Sequence, residues 1–178
     1  MVECAADVLA ARSGDETARD RLLRNLWPRA FRLALSIVGD RETAEEAAQD
    51  ALVLVVARLG SLRDPRAFPL WSARVIVNAA RSAQRRRARE RAPTGECRFA
   101  AFDDDAAERL DVLAALAALP SWLRVPLVLR YVDGLTSAEI GAALGAPAAT
   151  IRFRLALARR RMAAALDVPE PALQENFA

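Results

Sequence analysis

Between Thr17 and Val38 apolar residues fall at Leu22, Leu23, Leu26, Phe31, Leu35 and Val38, steps that approximate one face of an α-helix. Pro28 predicts a break or kink there, because it lacks the N–H that a helix interior uses and its ring crowds the preceding turn. Gly39-Asp40 ends the segment. From Glu42 to Leu59 the residues Ala44, Ala48, Ala51, Leu52, Val55 and Leu59 recur at steps of three and four, while Glu45, Glu46, Gln49 and Asp50 lie on other faces. This pattern predicts an amphipathic helix with an acidic exposed side. Ser61 to Pro69, with two prolines and an aromatic, reads as a short loop feeding a third helix that starts near Leu70. In that helix Trp71, Val75 and Ala79 form an apolar stripe. Arg74, Asn78, Arg81, Arg85, Arg86, Arg87, Arg89 and Arg91 supply the polar positions, so the early turns should pack and the later ones project charge.

The periodicity lapses between Ala92 and Ala107, where Pro93-Thr94-Gly95 and the acidic triplet Asp103, Asp104 and Asp105 have the composition of a linker. Helical spacing resumes with Leu110, Leu113, Leu116 and Leu119 before Pro120, continues from Val125 to Val132, and stops at Gly134-Leu135. Pro126 is expected to start its helix afresh. Trp122 and Leu123 either cover this half's own core or form part of a partner surface. The expected fold is all-α, with two small helical domains over residues 1–91 and 108–168, a flexible linker over 92–107 and a tail over 169–178.

The sharpest local signal is a helix, a tight turn and a second helix over Thr136 to Leu166. Thr136 with Glu139 forms a T-x-x-E capping box, which satisfies free amides at a helix start, and Ile140 and Leu144 sit one turn apart on the inner face. Gly145 suits a left-handed C-cap, and Pro147 suits the first turn of the following helix. In that helix Ile151, Leu155, Ala158 and Met162 fall within about 60° of one another and predict the buried stripe. Ala149, Arg152, Phe153, Ala156, Arg159 and Arg160 occupy the opposite side. Small residues there permit close approach to a DNA groove and arginines reach phosphates or guanine edges; an ordinary helical hairpin with a solvated basic face fits the same spacing. The outward Phe153 has three readings: contact with a thymine methyl, packing on a partner protein, or a scattered exposed aromatic.

Composition narrows the function classes. The 178 residues are 53% hydrophobic, ample for packed cores, and all 26 basic residues are arginines; against 23 acids they leave a net charge of only +3. GC-rich codon usage accounts for the absence of lysine, yet clustered arginines still offer forked donors matched to phosphate. Cys4 and Cys97 stand far apart and histidine is absent, so no metal site and no disulfide is expected. The start of the chain lacks a signal-peptide pattern and no apolar run reaches the roughly 18 residues that span a bilayer, so a cytoplasmic protein without membrane insertion is expected. No Gly-rich phosphate loop or nucleophile–base pair appears, and neither an enzyme nor a cofactor is expected.

Two stretches, in order, resemble one protein family. ALAALPSWLRVPLVLRYVDGLTSAEIGAALGAPAATIRFRLALARRRMAAAL is similar throughout to region four of the extracytoplasmic-function sigma factors, including its LP, LRY, GL, EI and LG elements. GDRETAEEAAQDALVLVVARL resembles region 2.2, and WSARVIVNAARSAQRRR resembles regions 2.3 and 2.4. The resemblance spans Asp15 to Leu166 and implies a promoter-recognition subunit that works on core RNA polymerase and has no chemistry of its own. Glu46, Gln49 and Asp50, which by spacing alone read as solubilising acids, would dock on the clamp helices of the β′ subunit, and the second domain would reach the β flap. Trp71, Arg74, Asn78, Arg81, Arg85 and Arg86 would melt and hold the minus-ten element, with Trp71 also serving the apolar stripe. Ala149, Thr150, Arg152, Phe153, Arg154 and Arg159 would read the minus-thirty-five element as duplex. The linker, with Asp103 to Asp105, would thread toward the active-site and RNA-exit channel, and an anti-sigma factor would occlude the polymerase-binding surfaces.

The chain departs from the family pattern Trp-Leu-x-x-Ile-Ala-x-Asn at Ser72, where leucine is usual, and at Ile76, where alanine is usual, and further on at Ser82, where aspartate is usual. Ser121-Trp122-Leu123 replaces the usual charged residues, and Phe153 a small polar one. Two other readings accordingly stand beside the first. One is a stand-alone helix-turn-helix regulator, and the other is a sigma-like protein that binds partners without initiating transcription.

Overall fold

The computed structural model describes residues 2–90 and 107–168. Among these residues eight α-helices follow one another: α1 (Val2–Arg12), α2 (Glu16–Val38), α3 (Arg41–Arg58), α4 (Phe68–Glu90), α5 (Ala107–Ala118), α6 (Ser121–Tyr131), α7 (Ser137–Leu144) and α8 (Ala148–Ala165). Two 3-10 turns, Leu59–Ser61 and Pro65–Ala67, join α3 to α4, and no strand occurs among the described residues. The helices divide into two compact units, α1 to α4 and α5 to α8, so the all-α, two-unit architecture is as expected. Most of the expected linker, with Cys97 and Asp103 to Asp105, lies outside the described residues, as do Arg91 and the tail over 169–178. Among the described residues no single helix is long and apolar enough to cross a membrane.

In the first unit α2 packs against both α1 and α4. The buried residues are small: Ala44, Ala47, Ala48 and Ala51 from α3 and Ala73, Ala80 and Ala83 from α4, with Leu33, Val55, Ile76 and Val77 filling between them. α1 was not foreseen. It is anchored by the fully buried Val8 and by Asp7, whose Oδ1 lies 2.7 Å from Arg21 Nη2 of α2. This carboxylate holds the Arg21 guanidinium above its ordinary pKa, through the hydrogen bond first and the opposite charge second. Asp15 begins α2 by accepting a hydrogen bond from the Ala18 amide at 3.0 Å, as an N-cap residue does.

Pro28 makes no break: α2 runs unbroken from Glu16 to Val38 with the proline inside it. The carbonyl that loses its donor belongs to Arg24, four residues back. Both Pro28 and Arg24 are exposed, so water can serve that carbonyl, while Leu26, Ala30 and Leu33 bury the helix's other face.

Pro126 corrects an expectation. It does not start a helix but lies fully buried inside α6, which begins at Ser121 behind an N-cap at Pro120. Leu123, Val125, Leu127, Val128 and Leu129 are buried around it, and that packing offsets one missing backbone hydrogen bond. The two open residues separate: Leu123 is core at 0% exposure, whereas Trp122 is 44% exposed. Between them and the proline sits Arg124, only 3% exposed, whose Nη1 donates to the carbonyls of Ala117 at 2.9 Å and Leu119 at 3.1 Å. A guanidinium at the end of α5 meets the negative pole of that helix and satisfies carbonyls that no amide reaches.

Candidate nucleic-acid interface

At 3.6 residues per turn, Trp71, Arg74, Asn78, Arg81 and Arg85 fall within about 80° of one another around α4. Arg74, Asn78 and Arg85 are exposed, and Trp71 and Arg81 are half-buried at the edge of the stripe. Ala73, Ile76, Ala80 and Ala83 bury the opposite side. The helix therefore presents an indole, a carboxamide and three guanidinium groups in one line. Such a line can stack on a base, bond a base edge and hold successive phosphates. Arg89, left out of the expected set, falls on the same stripe and is exposed; its spacing from Asn78 and Arg85 was the signal.

The first turn of α4 is fixed from two sides. Phe68, 2% exposed, lies under Trp71 with ring centroids 6.0 Å apart and planes tilted by 37°. From α2, Arg29 donates through Nη1 to Ser72 Oγ at 2.8 Å and through Nη2 to the Pro69 carbonyl at 2.8 Å. Ser72, fully buried, donates in turn to that carbonyl at 3.2 Å. In the loop just before, Asp64 accepts from the Arg66 amide at 2.9 Å and caps the second 3-10 turn.

Arg86 has a different setting. Its Nη2 lies 3.0 Å from Glu46 Oε2 and its Nη1 3.9 Å from Asp50 Oδ2, both on α3, while the neighbouring Arg87 donates to Thr43 Oγ1 at 2.7 Å. Glu46, Gln49 and Asp50 are exposed, as their spacing predicted. The structure thus joins the acidic face of α3 to one arginine expected at DNA. Val53 and Val56, 67% and 38% exposed, continue that face by further turns. Sequence reasoning passed over them, although their distance of three to seven residues from Gln49 and Asp50 marks the same side.

In the second unit the capping box is present. Thr136 Oγ1 accepts from the Glu139 amide at 3.3 Å, and Glu139 Oε2 accepts from the Thr136 amide at 2.8 Å and from its hydroxyl at 2.7 Å. These bonds hold the Glu139 carboxyl below its usual pKa, the side-chain bond contributing most. Gly145 ends α7 in the left-handed region at φ 71°, and Pro147 is the N-cap of α8, one residue before the first turn expected for it. The two helices meet at 105°. Gly141 makes that angle possible: a Cβ there would stand 2.5 Å from the Ala146 carbonyl oxygen, nearer than real Cβ contacts allow.

On α8 the expected stripe Ile151, Leu155, Ala158 and Met162 is buried, together with Ala163. Ala149, Arg152, Phe153 and Arg160 are exposed, Phe153 at 64%, and Thr150, Arg154 and Ala156 are half-buried on the flanks. Arg159 is also half-buried, and its Nε is enclosed without a hydrogen-bond partner among the described residues. A helix that buries one stripe and offers small, aromatic and guanidinium groups on the other can enter a major groove.

Family models match both units: that for sigma-70 region 2 over residues 22–90, and that for sigma-70 region 4 over residues 109–162. The chain is 33% identical over 161 residues to the ECF RNA polymerase sigma factor SigM of Mycobacterium tuberculosis, covering 89% of this chain and 82% of that protein. It is 31% identical over 163 residues to the ECF RNA polymerase sigma factor SigE of Mycolicibacterium smegmatis, covering 84% of this chain but only 63% of that protein. With the RNA polymerase sigma-H factor of Pseudomonas aeruginosa the identity is 29% over 179 residues, 91% of each chain. Among solved structures the fold is similar to CnrH in complex with the cytosolic domain of CnrY, with a TM-score of 0.66 at 23% identity over 93% of this chain and 97% of that one. It is also similar to the sigma factor RpoE in complex with the anti-sigma factor NepR from Bartonella quintana, with a TM-score of 0.67 at 23% identity over 84% and 96% of the two chains.

Proposed function

The chain belongs to the extracytoplasmic-function group of the sigma-70 family, and on that footing we propose that it directs core RNA polymerase to a set of promoters and opens them. The observation that carries this reading is the line of Trp71, Arg74, Asn78, Arg81 and Arg85 on α4. A protein that opens duplex DNA without a nucleotide cofactor must draw the work from binding energy, and a line of stacking, base-bonding and cationic groups supplies it only once the strand is single.

Residues 1–91 form the domain that binds polymerase and the minus-ten element, and residues 108–168 the domain that reads the minus-thirty-five element. Glu46, Gln49 and Asp50, extended by Val53 and Val56, dock on the β′ clamp helices, while the second domain contacts the β flap. Ala149, Thr150, Arg152, Phe153, Arg154 and Arg159 meet the upstream duplex. Phe153 takes an apolar contact there, its 64% exposure being unfavourable until it finds one. The chain acts in the cytoplasm, makes and breaks no covalent bond itself, and is held in check by an anti-sigma factor. The fold it shares with a sigma factor bound to the anti-sigma factor NepR supports that last assignment.

The test is reconstitution. Purified chain titrated onto labelled core enzyme should bind, and the complex should start transcription at discrete sites on genomic DNA. Asp50→Arg should weaken the titration. A chain that fails to associate with core enzyme, yet shifts duplex DNA alone, would replace this reading with that of a stand-alone regulator.

A further inference from the structure

Ser72 carries a fully buried hydroxyl. A buried hydroxyl is costly unless bonded, and this one is bonded twice, to Arg29 and to the Pro69 carbonyl. The Pro69 carbonyl also receives the second arm of Arg29. Three hydrogen bonds thus meet at the first turn of α4, two of them from Arg29, which lies 43 positions before Ser72 and 40 before Pro69 in the chain.

The electrostatics make the arrangement unusual. The start of a helix carries partial positive charge and favours acids, so a guanidinium there is on the unfavourable end. An apolar pair at positions 29 and 72 would fill the space without burying polar groups or opposing the helix dipole. What the arginine supplies instead is direction: its planar fork fixes two acceptors at once, which a point charge or a methyl group cannot do. Both acceptors lie within two residues of Trp71, and Phe68 holds that indole from beneath.

We propose that Arg29 is a positioning residue for promoter opening. Through Ser72 and Pro69 it locks the first turn of α4, so that Trp71 stands in line with Arg74 and Asn78 before any DNA arrives. A pre-set line loses less conformational freedom when an unpaired strand binds, which speeds opening without adding a contact. The inference rests on α4 being the helix that takes the minus-ten strand.

The experiment uses the full chain with core RNA polymerase and three variants, Arg29→Gln, Arg29→Lys and Ser72→Ala. Core affinity is measured by titration, and opening by the rate at which minus-ten thymines become reactive to permanganate at saturating holoenzyme. Since one hydrogen bond is typically worth a factor of a few and two or three together about tenfold, Arg29→Gln should open about tenfold more slowly and Ser72→Ala about threefold. Arg29→Lys should fall between them. Core affinity should stay at the parent value, and added chain should not restore the rate.

Parent rates in both Arg29→Gln and Ser72→Ala would overturn the proposal. So would losses in opening matched by losses in core affinity and recovered by more chain, which mark a folding defect only. If Arg29→Gln does not fold, Ser72→Ala decides, because alanine suits a helix interior and removes only the hydroxyl. The functional reading is judged beforehand on the parent: a parent chain that neither binds core enzyme nor opens DNA strikes that reading, not this one.

Discussion

α4 and α8 both turn arginines outward and both begin beside a proline, yet they are held in place by different physics. α4 is held by side chains: Arg29 reaches across from α2, Phe68 lies under Trp71, and Arg86 and Arg87 reach to α3. α8 is aimed by backbone: a left-handed glycine closes α7, and the missing Cβ of Gly141 lets the Ala146 carbonyl come close. Hydrogen bonds weaken gradually as partners are trimmed, whereas steric contact tolerates almost nothing. The second unit should therefore fail sharply where the first degrades by degrees.

The strongest way to break that contrast is Gly141→Ala. In an ordinary helix this exchange stabilises by about 1 kcal/mol, but here the added methyl meets a carbonyl oxygen, and a loss of about 1–3 kcal/mol is expected in denaturant titration. Gly60→Ala is the control in the first unit, since nothing stands within 4 Å of its added Cβ, and it should stay within about 0.5 kcal/mol of the parent. Equal outcomes at the two glycines would erase the distinction.

Thr136→Ala sharpens it at an intermediate scale. Loss of the cap should lower stability by about 1 kcal/mol at neutral pH. The effect should depend on acid. Because the folded state holds the Glu139 carboxyl below its usual pKa, its contribution is complete above the unfolded value of about 4.3 and is lost as pH falls through the folded value. The parent and the Thr136→Ala chain should thus converge in stability on titration toward pH 3, and a constant gap would show that the carboxylate plays no part.

The smallest effect should come from the Arg86 pair with Glu46. Both side chains are more than half exposed, so a double-mutant cycle with Arg86→Ala and Glu46→Ala should give a coupling below about 0.5 kcal/mol that fades in salt. A coupling above about 1 kcal/mol would mean that α4 is held at its far end as firmly as at its first turn.

What could be read in the chain was whatever short-range rules determine. Thr136, Glu139 and Gly145 act within one helix, and Ile151, Leu155, Ala158 and Met162 follow one period, so the helix-turn-helix and its buried stripe were legible. The acidic face of α3 and the polar line on α4 were legible for the same reason. Pro126 misled, and Pro28 made no break, because the local penalty of a proline is real but modest against the packing of a whole helix face. Arg29 and Ser72 are 43 residues apart, and nothing in either neighbourhood announces the other. The burial of Arg124 was not legible because only the fold brings the end of α5 to it. The role of Gly141 was not legible, since the atom its missing Cβ makes room for belongs to a turn whose path the sequence does not draw. The settings of Arg86 and Arg159 were hidden likewise, each depending on neighbours that periodicity cannot name.

The close approach at Gly141 is a wall, not an attraction. Walls do not soften with ionic strength or change with the identity of whatever faces the groove. Every outward residue of α8 could be exchanged, as a locksmith recuts the teeth of a key, while the shank kept its angle to the bow. On the reading proposed for α8, new promoter preferences would then be reachable by a handful of substitutions, none of which needs to renegotiate how the helix is carried.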